Sequence, residues 1–564
     1  MTTSVIKNVQ TQSVGFAPIL GHFFDKCGIK DIIDEQVFLD PRRKVLTHGE
    51  AAVAMITAIL FQVMQLYRIC HFASEKKVLD VILPHIKPEE YFDDRLADTL
   101  DALFAFGLGD LEMLITKHMI QVFKIESSVC HNDTTSISVY GDAANNKTSQ
   151  SINICFGHSK KHRKDLKQLI WSMSVSSDHA FPLFEKAYSG NTADVKTYLE
   201  QWHKLIDLLD EQGFLFVGDS KLISHENMAH IHDNDGFFVA PAPMYKSYKT
   251  VFEQALADHQ RELLIPYKGR FNRGFETPMI FEFGGKQYTI RMIILFDHGL
   301  CARKRKNAQQ RVDQTKADFK ALSKKLNRYK LKTKQAIDDA CAAILKTRKT
   351  QPFFRYRIIN EPITTHKNKH RGRPPKKAVA EKIAVEQDHY QVELYFDEQA
   401  FQQSTATYGY YPLLTNKDQQ SFSIEEAMLA HKKQYKSEHT YRRAKGPFRL
   451  EPIYLHTPER IEAFMFLFKI ALQIIVLIER AARKNIHKRD CGLDNFMPNR
   501  KDVRNPRSEY LLKKFEDVVR GKMPLPDGNT YNFISELNRL QRDILSILDI
   551  PLCWYEYDFL YDSS

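Results

Sequence analysis

The chain has 564 residues, 43% of them hydrophobic and 27% charged, with a formal net charge of +12 at pH 7. That composition excludes a disordered chain, the length excludes one ordinary core, and roughly two to four domains are expected. The positive balance points to a polyanionic partner, either nucleic acid or an acidic membrane surface. Eight scattered cysteines without a CxxC pair exclude a zinc ribbon and a dense disulfide scaffold, and free thiols fit a reducing cytoplasm.

Met1 to Gly15 has no long apolar core behind a basic start, so no secretory leader is read there. Residues 16–125 read as wholly helical, with apolar spacing in Ile19-Leu20-Phe23-Phe24, in Ala51-Val53-Ile56-Leu60-Val63 and in Leu96-Leu100-Leu103-Phe104. Asp93-Asp94 opens one of these helices with acids in the first turn, where the dipole favours them. A DNA-end-binding domain over 1–125 and a plain helical scaffold are both compatible with this stretch. The apolar runs Ala51 to Leu66 and Ile461 to Ile478 carry Gln62, Gln65, Glu462 and Lys469, so both read as buried helices and not as membrane spans.

At Ser128 the texture turns to β. Ser136 to Tyr140 alternates, Ser151 to Phe156 is expected to pair with it, and Leu169 to Val175 with Phe181 to Phe184 reads as a further pair. Ala193 to Leu209 reads as a helix, Gly213 to Val217 as a short buried strand ending at Asp219, and Phe237 to Pro241 as another strand. Antiparallel strands, a crossover helix and a strand ending in an acid follow the order of a ribonuclease-H-like mixed α/β core over 126–243.

Residues 244–408 read as a β-rich insertion with a basic helical arm. Lys286 to Leu295 and Gln391 to Phe396 are expected strands, and Ala302 to Lys349 is a helix or helix pair crowded with Lys and Arg. Lys324, Lys325, Arg328 and Lys332 are candidate phosphate contacts there, although a charge run is as readily a solvated face. His366 to Lys377 reads as a basic loop; its Arg371-Gly372-Arg373-Pro374 suits an A·T-rich minor groove, but the tetrapeptide is short and common and an ordinary basic loop is the favoured reading.

Residues 409–485 return to the core with a strand-like run from Tyr408 to Asn416. A helix follows from the Ser423/Glu426 capping box to about Ala444, and another from Thr457-Pro458 to about Arg483. Residues 486–564 are expected to be helical, with an apolar stripe at Leu537, Leu540, Ile544, Leu545 and Leu548 that reads as core or as a dimer zipper.

Three acids then stand out: Asp133 and Asp219 at probable strands, and Glu438 on a helix rich in bases. A carboxylate beside a core is costly unless paired or metal-bound. Mg²⁺ takes oxygen ligands, and two such ions roughly 3.5–4 Å apart serve phosphoryl transfer.

In order along the chain, these stretches resemble a bacterial insertion-sequence DDE transposase, of the class with a β-rich insertion between the second and third acid. Asp133-Thr134-Thr135-Ser136 is similar to that family's first-acid strand, and Gly157 to Gln168 to its basic segment after the second strand. Gly190 to Asp194 is similar to the start of its crossover helix, and Val217 to Lys221 to its second-acid strand end. Glu438 and Lys445 match the Glu-x₆-Lys half of its Y-x₂-R-x₃-E-x₆-K signature, while the Tyr and Arg positions are held by His431 and Gln434.

The resemblance implies Asp133, Asp219 and Glu438 as catalytic and metal-ligating residues for two Mg²⁺ ions, with Mn²⁺ as substitute. It implies DNA contact by Lys445, Arg442, Lys160, Lys161, Arg163, Lys164 and Lys167. It further implies double-stranded DNA (element ends and target) as the partner, a homodimer in the paired-end complex, and a bacterial cytoplasmic, nucleoid-associated location with no membrane partner. The alternative is a decayed or repurposed copy that binds ends without cutting, which His431 and Gln434 favour and the presence of all three acids disfavours.

Overall fold

The computed structural model describes residues 9–41, 45–140, 151–158, 163, 165–258, 262–267, 270–368, 382–525 and 529–556. The protein is mixed α/β with a large mixed sheet. It divides into two compact units. The first comprises Met1–Pro243, Ile280–Arg291 and Leu414–Ser564, and the second comprises Met244–Met279 and Met292–Leu413.

The first unit begins with strand β1 (Gln10–Ser13). Helices α1 (Ala17–Cys27), α2 (Ile29–Gln36), α3 (His48–Leu60), α4 (Ile69–Lys76), α5 (Leu79–Ile82), α6 (Asp93–Phe106) and α7 (Leu108–Phe123) follow. Thr47 starts α3 with a capping box, its hydroxyl accepting from the Glu50 amide while the Glu50 carboxylate accepts from its own amide. Every residue of α3 is buried, as an all-round apolar helix requires.

The sheet then forms from β2 (Val129–Val139), β3 (Lys167–Ser176) and β4 (Pro182–Ser189), each antiparallel to the one before. Helix α8 (Thr197–Leu209) crosses over to β5 (Leu215–Val217), which lies parallel to β2. Helix α9 (His225–Asp233) leads to β6 (Phe237–Pro241), parallel to β5, giving the order β4-β3-β2-β5-β6.

The strand expected at 151–156 does not form. Only a single bridge, Cys155 to Gln168, remains of it. The place beside β2 is taken by β3, whose apolar Leu169, Ile170 and Trp171 are buried. The displaced segment is tied instead by side chains, with the Ile152 amide donating to Glu462 and the Asn153 amide to Ser189. Gly157 and Gly190 lock it from behind: a Cβ on Gly157 would stand 1.9 Å from the Gly190 carbonyl oxygen, so only glycine permits the approach.

The second unit holds α10 (Lys246–Asp258), β7 (Leu263–Tyr267) and most of β8 (Arg270–Phe283), which pairs antiparallel with β7. After β9 (Lys286–Phe296) come α11 (His298–Ser323) and α12 (Lys334–Arg348), then β10 (Phe354–Asn360), β11 (Ile363–Asn368), β12 (Lys382–Gln387), β13 (Tyr390–Phe396), α13 (Glu398–Thr405) and β14 (Tyr410–Thr415). The basic arm is therefore a helix pair, and it has its own core. Val312, Phe319, Ile337, Cys341 and Leu345 pack with Phe354. Asp297 and Thr333 cap the two helices. His366 to Asn368 belong to β11, paired antiparallel with β12, and not to a loop. Arg371 to Pro374 lie outside the described residues.

Back in the first unit, the helix expected to run unbroken from Ser423 to Ala444 is two helices, α14 (Ile424–Lys432) and α15 (Tyr435–Lys445), with a turn at Lys433-Gln434. The Ser423/Glu426 capping box forms. Helix α16 (Pro458–Arg489) extends past Arg483; Thr457 stands at its N-cap, but the hydroxyl makes no capping bond. It is long and apolar enough to cross a membrane, yet 94% of its apolar window is buried in the protein.

The C-terminal region is not all helix. After α17 (Ser508–Lys513), β15 (Val519–Pro524) pairs with β16 (Thr530–Ile534) and with β1, so the two ends of the chain share a sheet. Arg520 and Lys522 hid this strand in the sequence. The stripe of α18 (Arg539–Ile547) is core, with Ile544 and Leu545 fully buried.

Candidate active site

Successive residues of a strand face opposite sides, and β2 follows this rule. Asn132 faces α8, its amide nitrogen donating to Gln201 Oε1 at 3.4 Å and to Ser174 Oγ at 2.9 Å. His131 and Thr135 face α15: His131 Nδ1 is 3.0 Å from Gln434 Oε1, and Lys445 Nζ donates to Thr135 Oγ1 at 2.6 Å. Asp133 lies between them in sequence, so alternation turns it to the α15 side, where it is half-buried.

The register of β5 places the second acid. His131 is level with Val217 on the parallel neighbour. Two residues further along each chain come Asp133, still within β2, and Asp219, in the turn just past the end of β5, and both carboxylates act on the Tyr198 phenol and the Lys221 ammonium. Gly218 makes room here, since a Cβ would lie 2.8 Å from the Tyr198 ring. Through that gap the Tyr198 hydroxyl donates to Asp219 Oδ1 at 2.7 Å, and the Lys221 amide donates to the same oxygen at 2.8 Å. Burial, then Asp219, pushes the Tyr198 phenol well above its usual pKa, so it stays a donor. The Lys221 ammonium pairs with Asp194 at the entry to α8. Burial lowers its pKa, but Asp194, Asp219 and Asp133 together raise it on balance.

Helix α15 is laid over this stretch of β2. At 100° per residue, Gln434, Glu438, Tyr441 and Lys445 fall within an arc of about 60° on one face. The Tyr441 hydroxyl lies 2.7 Å from the Asp133 carbonyl oxygen and 3.1 Å from that of Trp171. Gln434 uses both ends of its amide: Nε2 donates to the Asn132 carbonyl at 2.7 Å, and Oε1 accepts from His131. Burial lowers the His131 pKa to about 4, so the ring is neutral. A guanidinium has no acceptor to offer it, so the glutamine at the signature's Arg position fits its neighbours.

Glu438 shares this face but is exposed. Among the described residues, no three His, Cys, Asp or Glu side chains are gathered closely enough to hold a metal ion. The structure thus brings Asp133 and Asp219 to bear on the same two groups, while Glu438, on the adjoining helix face, is not gathered with them into a three-acid group. Carboxylate oxygens are the ligand type that Mg²⁺ or Mn²⁺ takes.

The DNA-contact candidates have different settings. Lys445 is half-buried and bonded to Thr135 and to the Ser136 carbonyl, while Arg442 is exposed. Arg163 forks onto Asp165 at 2.8 and 2.6 Å. Lys167 opens β3. Lys160, Lys161 and Lys164 lie outside the described residues. Lys324, Lys325, Arg328 and Lys332 are exposed in the turn between α11 and α12 of the second unit.

The sequence reading missed Tyr198 and Tyr441 as supports of the acids. Tyr198 had a signal: it follows Asp194 by four residues, in the first turn of the crossover helix, which starts at Thr197 and not at the expected Ala193. Tyr441 had one too, at a helical spacing of three from Glu438.

A family model described as a domain of unknown function, DUF4277, matches residues 9–116, the segment of β1 and the N-terminal helices. No curated protein matches the chain.

Proposed function

We propose that the first unit is the catalytic body of a DDE-type DNA transposase with a ribonuclease-H-like core, which binds the terminal inverted repeats of its element and cleaves and transfers DNA strands. The observation that supports this reading is that Asp133 on β2 and Asp219 at the end of the parallel β5 act on the same two groups, Tyr198 and Lys221, with the α15 face that carries Glu438 over the same stretch of β2.

In this reading Asp133, Asp219 and Glu438 hold divalent cations, Mg²⁺ or Mn²⁺. When bound, such ions offset the charge that develops on phosphodiester oxygens during in-line displacement. The chain's own part is positioning. Tyr198 and the Lys221 amide fix one oxygen of Asp219 and leave the other available. Tyr441 and Gln434 fasten α15 to the backbone on either side of Asp133, which sets where Glu438 projects. Lys445 braces the helix against Thr135; its exposed neighbour Arg442 is the better placed of the two for a DNA phosphate. The net charge of +12 favours approach to DNA.

The test is a labelled duplex carrying the element's ends, incubated with the protein and Mg²⁺ or Mn²⁺. Cleavage at the end by the wild type, lost in Glu438→Gln while end binding persists, supports the reading. Ends bound but never cut by the wild type would leave a DNA-binding protein only.

A further inference from the structure

A cavity of about 660 Å³ opens in the first unit against the N-terminal half of α15, bounded by the start of β2, the β3–β4 turn and the middle of α16. The cleavage reading does not use it. Its floor is apolar, made by Val129, Ala180, Leu472 and Val476, and its walls carry Lys433, Lys436, His439, Arg483 and Arg507. This volume, with an apolar floor and a few convergent polar groups, is that of a small-ligand site.

The charges around it do not balance. The acids on its wall are already engaged. Asp178 accepts from Arg480 Nε at 2.8 Å and pairs with His179. Glu479 is held by Arg443 and by Arg483, each at 2.7 Å. Glu126 accepts from the Ser128 hydroxyl. The cations are less engaged. Lys433 and Arg507 are exposed and form no ion pair among the described residues, and Lys436 donates to the Ser177 carbonyl instead of a carboxylate.

We propose that this cavity binds a nucleotide, with the phosphate on Lys433, Lys436 and Arg507 and the sugar and base over the apolar floor. A phosphate monoester carries close to two negative charges and three acceptor oxygens, which suits several cations at one mouth better than a single carboxylate does. The apolar floor has no use for inorganic phosphate, so the ligand brings a ring system with it. Tyr435, 60% exposed at the rim, offers an aromatic face beside it. A free nucleotide and the 5′-phosphorylated end of a DNA strand share this chemistry. The inference does not depend on strand cleavage.

Titration calorimetry of the full chain without divalent metal tests it, with deoxyadenosine monophosphate, deoxyadenosine and inorganic phosphate as probes. The nucleotide should bind with a dissociation constant below about 1 mM, and the other two at least about ten-fold more weakly. The double variant Lys433→Gln/Arg507→Gln, at two exposed positions, should weaken the nucleotide at least about ten-fold with an unchanged unfolding midpoint. A short single strand with a 5′-phosphate, compared with its 5′-hydroxyl twin, separates the sources. Tighter binding of the phosphorylated strand, lost in the double variant, identifies a strand end; equal binding of the two strands beside a retained nucleotide signal identifies a free nucleotide. Equal nucleotide affinity in wild type and variant, no binding at about 1 mM, or inorganic phosphate binding as tightly as the nucleotide would each overturn the proposal. Because no metal is present and binding alone is scored, this failure is distinct from failure of the cleavage reading.

Discussion

The two units use charge in opposite ways. In the first, ionisable side chains on α15 and α16 are drawn inward and held. Arg443, 7% exposed, bonds Glu479, Glu509 and Ser508; Lys469, fully buried, pairs with Glu112 and donates to Thr116. In the second, Lys324, Lys325, Arg328 and Lys332 project from a turn whose supporting helices have a core of their own. The same residue types therefore carry different information. A held charge fixes geometry and is costly to remove, whereas an exposed one acts on a partner and contributes little to stability.

The largest expected effect lies at Asp133. Asp133→Asn keeps the size of the side chain and removes its charge. Cleavage of labelled element ends should fall by about a thousand-fold, while binding of the same ends in a gel is retained. Normal cleavage by this variant would remove the acid pair from the chemistry and leave β2 with a purely structural aspartate.

Next comes Arg443→Met. It leaves Glu509 without its guanidinium and Glu479 with Arg483 alone, and breaking a buried pair of this kind costs up to about 3–5 kcal/mol. Urea unfolding should show that loss as a lower midpoint. A variant as stable as wild type would mean that the first unit's charges are no more structural than those of the second.

How far the sequence reached follows the same division. Asp133 and Asp219 could be found because each follows or sits in a short run of strand-forming residues, and strand period is local. Their approach to the same Tyr198 and Lys221 could not, since it depends on the long-range β2–β5 pairing. Glu438 was found through its spacing to Lys445, but the turn at Lys433-Gln434 that aims its helix was hidden by a helical pattern continuing through it. Gln434 itself looked like a departure from a signature; its fit became visible only with His131 and the Asn132 carbonyl placed around it. The β1–β15–β16 sheet was missed because it joins residues some 500 apart in sequence (Gln10 pairs with Lys522) and its strands carry charges. In the second unit the density of Lys and Arg was plain, but the core that makes the arm a folded module was not.

A smaller effect is expected in the arm. Alanine at Lys324, Lys325, Arg328 and Lys332 should leave the unfolding midpoint within experimental scatter. If all four contact phosphates, the slope of log K against log salt for end DNA should flatten by about four, close to one per contact. An unchanged slope would make the arm a solvated face and confine DNA contact to other surfaces.

The smallest effect tests the inward charges of the first unit by pH. Glu462, on the second turn of α16, accepts from the Ile152 amide at 3.0 Å. Burial raises its pKa from 4.5 to about 7; the Ile152 amide and then Lys186 lower it, and Glu459 raises it. The cavity beside it is also lined by Glu112, Glu185, Glu200 and Lys204. Because the folded pKa lies above the unfolded one, the folded state binds more protons between pH 4.5 and about 7. Stability contributed by this group therefore falls as pH rises through that window, and the full penalty stands above it. Glu462→Gln keeps an acceptor for the Ile152 amide and has no charge to bury. The variant should match wild type near the bottom of the window and become the more stable of the two above its top, by urea midpoints taken at intervals across it. Parallel midpoints at every pH would show that the Glu462 carboxylate is solvated in the folded state, and that here the first unit treats charge as the second does.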